Sequence, residues 1–319
     1  MEVLRFLARI RFTALNWIMQ GITFLGEETV FMVVAIVLFW CVNKWKGYFV
    51  LAVGFLGTLL NQFLKLLFRV PRPWTVDKAI IVPSAKSGAT GFSFPSGHTQ
   101  NAVGTFGGIA RFTRRKWLRI VCIVLILLIG FSRMYLGAHY PSDVAVGLVT
   151  GVLFVFAIYP IMKRAEQSPK VMFCFLGTMV GLAVAYIVFL LVHHFPDVVN
   201  EVQEGQDLSP YDSGLKNGYT LLGALLGLIV GYTVDLKKIR FSEQAPLWGQ
   251  VLKVVLGLGI IMGIRMGLDK VFKSELLPIF HGQLWWSAVR YFCMVAFAGA
   301  VWPLTFPLWQ KVGAKKEAK

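Results

Sequence analysis

Charged residues are scarce in this chain, and acidic residues are the scarcest of them. Only 15% of its 319 residues are charged, and 16 acidic residues face 32 basic ones. A soluble domain is about one-quarter charged, so a water-soluble globular protein is not expected. With 56% hydrophobic residues, the composition instead predicts a polytopic helical membrane protein.

Cysteine is also scarce and forms no motif. The four cysteines stand singly in apolar stretches, and no C-x-x-C pair is present. Neither a disulfide framework nor a metal site is therefore predicted, and no cofactor is expected. The first residues do not have the pattern of a cleavable signal peptide, because Glu2, Arg5, Arg9 and Arg11 interrupt them.

The net charge of +16 does not indicate a nucleic-acid-binding protein. The basic residues cluster in short loops between apolar runs. That distribution is typical of membrane orientation and of contact with anionic lipid headgroups. Membrane lipids are therefore the expected partners, and binding of nucleic acid is not expected.

Long apolar runs predict an all-α membrane bundle of about nine transmembrane helices. An apolar stripe at helical spacing over 3–18 predicts an interfacial amphipathic helix before them. We expect one membrane domain with three parts: the interfacial helix in 1–26, a six-span core in 27–192, and a three-span extension in 193–319. The expected spans cover 29–43, 48–68, 96–112, 117–136, 141–162, 171–192, 218–234, 249–268 and 284–308.

Basic residues also predict the orientation. With nine spans, all the strongly basic segments fall on one face, which the positive-inside rule makes cytoplasmic together with the C-terminus. Loops 69–95, 137–140 and 193–217 fall on the opposite face. We therefore expect a plasma-membrane protein whose chemistry faces outward. The basic segments are 44–46, 114–119, 163–170, 237–240 and 311–319.

Three polar clusters interrupt the apolar sequence in a fixed order. Each one lies beside a predicted span and on the same predicted side of the membrane. Cations held together beside lipid are costly unless an anion lies between them, and phosphate is the obvious anion. The clusters are Lys65-x6-Arg72-Pro73, Pro95-Ser96-Gly97-His98, and Ser132-Arg133-x5-His139-x3-Asp143.

The second and third clusters have the residue types of an anion site and a nucleophile. Ser96 can cap the helix that follows, and Gly97 lets the backbone approach a ligand. His139 and Asp143 are spaced for one helical turn, so the carboxylate can fix the imidazole tautomer and leave the other nitrogen free. Arg133, Lys65 and Arg72 can neutralise the oxygens of a transferring phosphoryl group. Each residue alone could be a helix cap or a snorkelling side chain, but the joint pattern favours a site.

The three clusters resemble the signature of the type-2 phosphatidic acid phosphatase superfamily, also called lipid phosphate phosphatases. The pattern K-x6-RP, PSGH and SR-x5-H-x3-D is matched at every fixed position within 65–143. The resemblance implies a metal-independent phosphatase acting on a phosphorylated lipid, with His139 as nucleophile, His98 as acid and Asp143 orienting His139. It also implies a phosphate-binding set: Lys65, Arg72, Ser96, Gly97 and Arg133.

Three further spans after residue 193 depart from the common six-span members of that family. The resulting nine-span plan, with its N-terminus outside and its C-terminus inside, resembles the glucose-6-phosphatase branch. No sugar substrate is inferred from that similarity. Alternatives remain: a phosphotransferase that passes the phosphoryl group to a lipid or sugar hydroxyl, and a phosphatase of a soluble sugar phosphate. A non-enzymatic membrane scaffold or lipid carrier with a vestigial site is a further alternative. The intact His98, His139 and Asp143 argue against it. A vanadate haloperoxidase shares the signature but is soluble.

Overall fold

A computed structural model describes residues 1–80, 91–202, 206–272 and 283–313, and the regular secondary structure of these residues is helical. Seven helical segments there are long and apolar enough to cross a bilayer. The prediction of an all-α polytopic membrane bundle is therefore confirmed. The seven segments are Lys44–Val76, Lys116–Tyr135, Pro141–Gln167, Pro169–Val192, Pro210–Ile239, Leu247–Phe272 and Trp286–Trp309.

These segments contain most of the regular helices. Their bounds, together with those of the shorter helices of the loops, are α4 Lys44–Phe68, α5 Pro73–Val76, α8 Lys116–Tyr135, α9 Pro141–Gln167, α10 Pro169–Val192, α11 Asp197–Asn200, α12 Pro210–Val234, α13 Leu247–Phe272, α14 Trp286–Ala296 and α15 Phe306–Trp309.

Nine crossings are not confirmed, because two of the nine expected spans are not single long helices. The first is part of a pair of helical segments, Thr13–Phe24 and Glu28–Val42, bent by 48°. Counting that pair as one span gives eight. The third is a run of three short segments, α6 Gly97–Ala102, a π-helical turn Val103–Gly107 and α7 Gly108–Phe112. That run is shorter than the roughly 20 residues of a typical spanning helix.

The prediction of one N-terminal helix over 3–18 is wrong in its bounds. The segment forms two helices, α1 Glu2–Arg9 and α2 Thr13–Phe24, followed by α3 Glu28–Val37. Leu4 and Leu7 are buried, whereas Val3, Ile10 and Trp17 of the predicted apolar stripe are exposed. The side chain of Arg11 donates to the carbonyl oxygens of Tyr135 and Ile80. Arg11 lies in the break between the two helices, so these contacts attach α1 and α2 to Ile80 and to Tyr135.

The chain divides into two compact units. The first comprises Met1–Ala35, Phe49–Arg164 and Val188–Leu215, and the second comprises Ile36–Tyr48, Ala165–Ile187 and Lys216–Lys319. All three polar clusters belong to the first unit. It also contains α2, α6 and α8, together with most of the loop after α4 and part of segment 193–217.

The second unit holds ionisable groups that satisfy one another. The ammonium of Lys253 is buried, donates to the carbonyls of Trp40 and Glu243, and lies 4.5 Å from the ring centre of Phe306. Lys44 forms an ion pair with Asp235 at 2.8 Å. Arg290 pairs with Asp269. These contacts give Asp235, Lys253, Asp269 and Arg290 of the extra spans structural partners.

Candidate active site

The first polar cluster is shaped by the end of α4. Lys65 lies in the last turn of this helix and is only 6% exposed. The helix stops at Phe68, and Pro71 and Pro73 prevent its continuation. Arg72 therefore stands in extended backbone just before α5, where its side chain turns inward and is 2% exposed.

The guanidinium of Arg72 is fixed by several contacts beside His139. Its Nε donates to the carbonyl of Gly91 at 3.1 Å, and its Nη1 donates to the carbonyl of Ala138 at 3.1 Å. Nη1 also lies 3.1 Å from Nε2 of His139. A planar guanidinium held at two atoms has little rotational freedom. The first cluster thus places a fixed cation against the histidine of the third.

The second cluster opens α6 as the sequence predicts. The hydroxyl of Ser96 accepts from the backbone N–H of Thr99 at 3.4 Å, so Ser96 is the N-cap. Its own backbone N–H donates to the carbonyl of Asp143 at 3.0 Å, which joins this helix start to the third cluster. A Cβ added to Gly97 would meet Asn61 at an ordinary 3.7 Å. The described packing therefore does not itself require glycine at this position.

The third cluster forms around the start of α9. His139 is 2% exposed, and Asp143 is fully buried in the first turn of the helix. Nδ1 of His139 lies 3.4 Å from Oδ2 of Asp143, within ion-pair distance but without hydrogen-bond geometry. The same oxygen accepts from the backbone N–H of Tyr140 at 2.9 Å and from the hydroxyl of Ser93. Asp143 is therefore held rigidly on the Nδ1 side of the imidazole.

Arg133 and His98 complete the group. Arg133 is 3% exposed, and its Nη1 donates to the hydroxyl of Thr23 at 2.9 Å. Its Nε has no hydrogen-bond partner among the described residues. His98 is half-buried and lies close enough to Arg133 and His139 to interact with them electrostatically. All eight residues predicted from the motifs are thus in one compact unit.

Burial and positive charge together set the protonation of His139. Burial lowers the pKa of its imidazole well below the ordinary 6.5, and the charges of Arg72, Arg133 and Lys65 lower that pKa further. The imidazole is then neutral at neutral pH. Because Nδ1 faces the carboxylate, a proton is favoured there, which leaves the Nε2 lone pair directed at Arg72.

The site carries more positive than negative charge. The motifs bury three cations, Lys65, Arg72 and Arg133. They bury one carboxylate, that of Asp143. Buried cations in excess are costly unless an anion neutralises them. The arrangement therefore suits an oxyanion with several negative oxygens. Among the described residues, no group of three or more His, Cys, Asp or Glu side chains is arranged to hold a metal ion.

Residues outside the sequence motifs also contact the site. Ser93 binds Asp143, Thr23 binds Arg133, and Gln206 binds Gly91, whose carbonyl also holds Arg72. None of them has a sequence signal of its own. Ser93 is one polar residue in a loop, and Thr23 and Gln206 are far from the motifs in the chain. Only the fold brings them to the site.

Comparison with known families gives two matches. The pattern of the PAP2 superfamily matches residues 45–167, which contain every residue of the three motifs. A second pattern, described as the transmembrane extension of PAP2 superfamily phosphatases, matches residues 219–313. This second match lies within the segment 193–319.

Several curated proteins are similar in sequence. Phosphatidylglycerophosphatase B of Bacillus subtilis is 33% identical over 162 residues, 47% of this chain and 76% of the relative. Undecaprenyl-diphosphatase BcrC of Bacillus subtilis is 32% identical over 107 residues, 33% of this chain and 52% of the relative. Glucose-6-phosphatase catalytic subunit 1 of the dog is 26% identical over 238 residues, 63% of this chain and 65% of the relative. No solved structure matches the chain.

Proposed function

The chain belongs to the PAP2 superfamily of membrane phosphatases, which are metal-independent phosphoric-ester hydrolases, and from this membership we propose a reaction for its site. The protein hydrolyses a phosphate monoester or diphosphate of a lipid, with His139 as the nucleophile. The observation that carries this proposal is the 3.1 Å contact between Nη1 of Arg72 and Nε2 of His139. A phosphoryl oxygen bound by that arginine brings phosphorus close to a neutral imidazole nitrogen.

The first chemical step is attack by His139. Its Nε2 lone pair forms a bond to phosphorus while the bond from phosphorus to the ester oxygen breaks. His98, which enters this step as an imidazolium, donates a proton to the departing oxygen, so the leaving group departs protonated and His98 becomes neutral. Asp143 stabilises the positive charge that develops on the imidazole and holds its tautomer. The product on the enzyme is a phosphohistidine.

The second step regenerates the enzyme. His98, now neutral, accepts a proton from a water molecule whose oxygen bonds to phosphorus. The bond between phosphorus and Nε2 breaks, inorganic phosphate leaves, and His139 returns to the neutral form. Through both steps Lys65, Arg72 and Arg133 bind the phosphoryl oxygens, and Ser96 with the backbone of Gly97 contributes at the start of α6. Such fixed cations supply most of the catalysis of phosphoryl transfer.

The names of the relatives support a lipid substrate. Two of the reported relatives are named for action on phosphatidylglycerophosphate and undecaprenyl diphosphate. The site lies at the ends of helices apolar enough for a bilayer, so a lipid can present its phosphate while its tail stays in the membrane. A soluble sugar phosphate is the second candidate, because the glucose-6-phosphatase similarity extends over 63% of the chain.

We further propose nine crossings and an outward-facing site. The bent N-terminal pair and the short helical run through α6 and α7 would be the two additional crossings. With nine crossings all the strongly basic loops and the C-terminus face the cytoplasm, as the positive-inside rule favours. The protein is then a plasma-membrane enzyme that acts on the outer side.

The test is phosphate release by the purified protein from a panel of lipid and soluble phosphate esters. The His139→Ala variant is the blank, and His193→Ala, a histidine of segment 193–217, is the matched control. We expect release from at least one lipid phosphate, at least about a thousandfold lower in the His139 variant. Activity of that variant within tenfold of the parent would contradict the nucleophilic role. Adding glycerol or a sugar as acceptor and analysing the products distinguishes hydrolysis from phosphoryl transfer.

A further inference from the structure

A glutamine outside the three motifs reaches the phosphate-binding arginine through one glycine. The backbone N–H of Gly91 donates to Oε1 of Gln206 at 2.8 Å, and Nε2 of Gln206 donates to the Gly91 carbonyl at 3.0 Å. The same carbonyl accepts from Nε of Arg72 at 3.1 Å. A carbonyl oxygen has two lone pairs, so both donors can be satisfied together.

The Gly91 peptide occupies a sensitive place in the site. Its φ of +59° lies in the left-handed region, which glycine adopts without steric cost. A Cβ added at this position would lie 3.8 Å from Cδ of Lys65, so Gly91 is adjacent to a second motif cation. A glycine in this region can rotate easily, and any rotation moves the acceptor that holds Arg72. Something must fix the peptide, and the carboxamide of Gln206 contacts both of its polar groups.

We infer that Gln206 is a positioning residue of the phosphate site. It fixes the Gly91 peptide and, through the Gly91 carbonyl, the guanidinium of Arg72 beside Nε2 of His139. This inference rests on the proposed function. Because Nε and Nη1 belong to one rigid plane, a shift of the carbonyl that holds Nε also shifts Nη1 relative to the imidazole. Misplacement of a catalytic group by about 1 Å can reduce a rate about a hundredfold.

The inference gives segment 193–217 a role in catalysis. This segment lies outside the matched core of residues 45–167. If Gln206 only attached its segment to the rest of the first unit, its loss would lower thermal stability and leave catalysis by the folded protein unchanged. Kinetics and the affinity for a transition-state mimic therefore separate the two roles.

The experiment compares the full-length parent with Gln206→Ala, Gln206→Glu and the control Asp207→Asn. Glutamate keeps the size and the acceptor for the Gly91 N–H but loses the donor to its carbonyl. Asp207 is the exposed neighbour of Gln206. The measurements are kcat, KM, the melting temperature, and the Kd of orthovanadate, which mimics the pentacoordinate phosphoryl group. We expect both Gln206 variants to lower kcat about tenfold with KM changed less than twofold, and to raise the vanadate Kd about tenfold.

A second comparison uses the Arg72→Lys background. Because Gln206 acts through Arg72, Gln206→Ala should change vanadate affinity there by less than about twofold. Unchanged kcat and vanadate Kd in both Gln206 variants, with or without a lower melting temperature, would overturn the inference. Losses of the same size in Asp207→Asn would also overturn it. If the parent hydrolyses no ester in the panel but its vanadate affinity still depends on Gln206, the proposed function fails while the positioning role stands.

Discussion

Arg72 and His139 meet at a single pair of atoms, Nη1 and Nε2, which are 3.1 Å apart. The arginine therefore does two things to the histidine at once. Its charge disfavours protonation of the imidazole, which keeps Nε2 unprotonated. A guanidinium at this position can also bind a phosphoryl oxygen, which places phosphorus next to Nε2 of His139. The following predictions depend on this relationship or on the residues that surround it.

The first prediction concerns the acidic limb of the pH profile. Because the pKa of His139 is lowered below 6.5, the nucleophile stays neutral, and kcat/KM should hold its value as pH falls until well below 6.5. Removing a neighbouring cation raises the pKa of His139. Arg72→Gln should therefore shift the limb to higher pH, whereas Arg72→Lys keeps the charge and should not. Equal midpoints in the three proteins would contradict this electrostatic role.

The same pKa shift has a consequence for stability. His139 binds a proton more readily in the unfolded chain than in the folded one. Its contribution to the free energy of unfolding is fully present above pH 6.5 and is lost as pH falls below that value. Melting temperatures measured across this range should decline more in the parent than in His139→Gln, which has no titrating group at the position. Parallel declines would show that His139 is not the group responsible.

His98 is predicted to act as the acid for the leaving group. Its replacement by Ala should slow hydrolysis of alkyl phosphates by about a hundredfold or more, because a poor leaving group needs a proton. An activated aryl phosphate leaves without one and should be affected far less. The measurement is kcat/KM for both ester types in His98→Ala and the parent. Equal losses on the two esters would assign His98 another role.

Thr23 is predicted to support phosphate binding through Arg133. Its hydroxyl accepts from Nη1 of Arg133 at 2.9 Å, and valine would remove that acceptor with little change in volume. We expect Thr23→Val to lower kcat/KM about fivefold and to weaken inhibition by inorganic phosphate. Thr23→Ser keeps the hydroxyl and is the matched control. If serine and valine behave alike, the hydroxyl is not what positions Arg133.

Orientation is testable with two single cysteines in a background that lacks the four native ones. Val76 is 60% exposed in α5, and Lys116 is exposed at the start of α8. In intact cells a membrane-impermeant maleimide should label Val76→Cys, and Lys116→Cys should label only after permeabilisation. The reverse pattern would mean that the site faces the cytoplasm.

Sequence reasoning succeeded where spacing determines geometry. His139 precedes α9 by two residues and Asp143 lies in its first turn, and this short spacing brings Nδ1 of His139 to 3.4 Å from Oδ2 of Asp143. Ser96 caps α6 because a serine before a helix offers an acceptor to the free N–H groups. Composition likewise predicted an all-α membrane bundle. These features depend on residues close together in the chain.

Features that depend on tertiary packing were not predictable. The apolar stripe over 3–18 continues through Ile10, so nothing in its spacing indicates that the helix breaks before Thr13. The break is stabilised by Arg11, which reaches the carbonyl oxygens of Tyr135 and Ile80. The contacts of Thr23 and Gln206 with the site join segments that are more than a hundred residues apart. No local pattern encodes such pairings.

The turn between α2 and α3 restricts which sequences can keep this site. A Cβ added to Gly26 would lie 2.7 Å from Cγ2 of Ile129 and 3.0 Å from the carbonyl oxygen of His98. Even alanine would push the backbone that carries the proposed acid. Glycine at this position, which no motif includes, therefore leaves the backbone of the proposed acid where the site needs it.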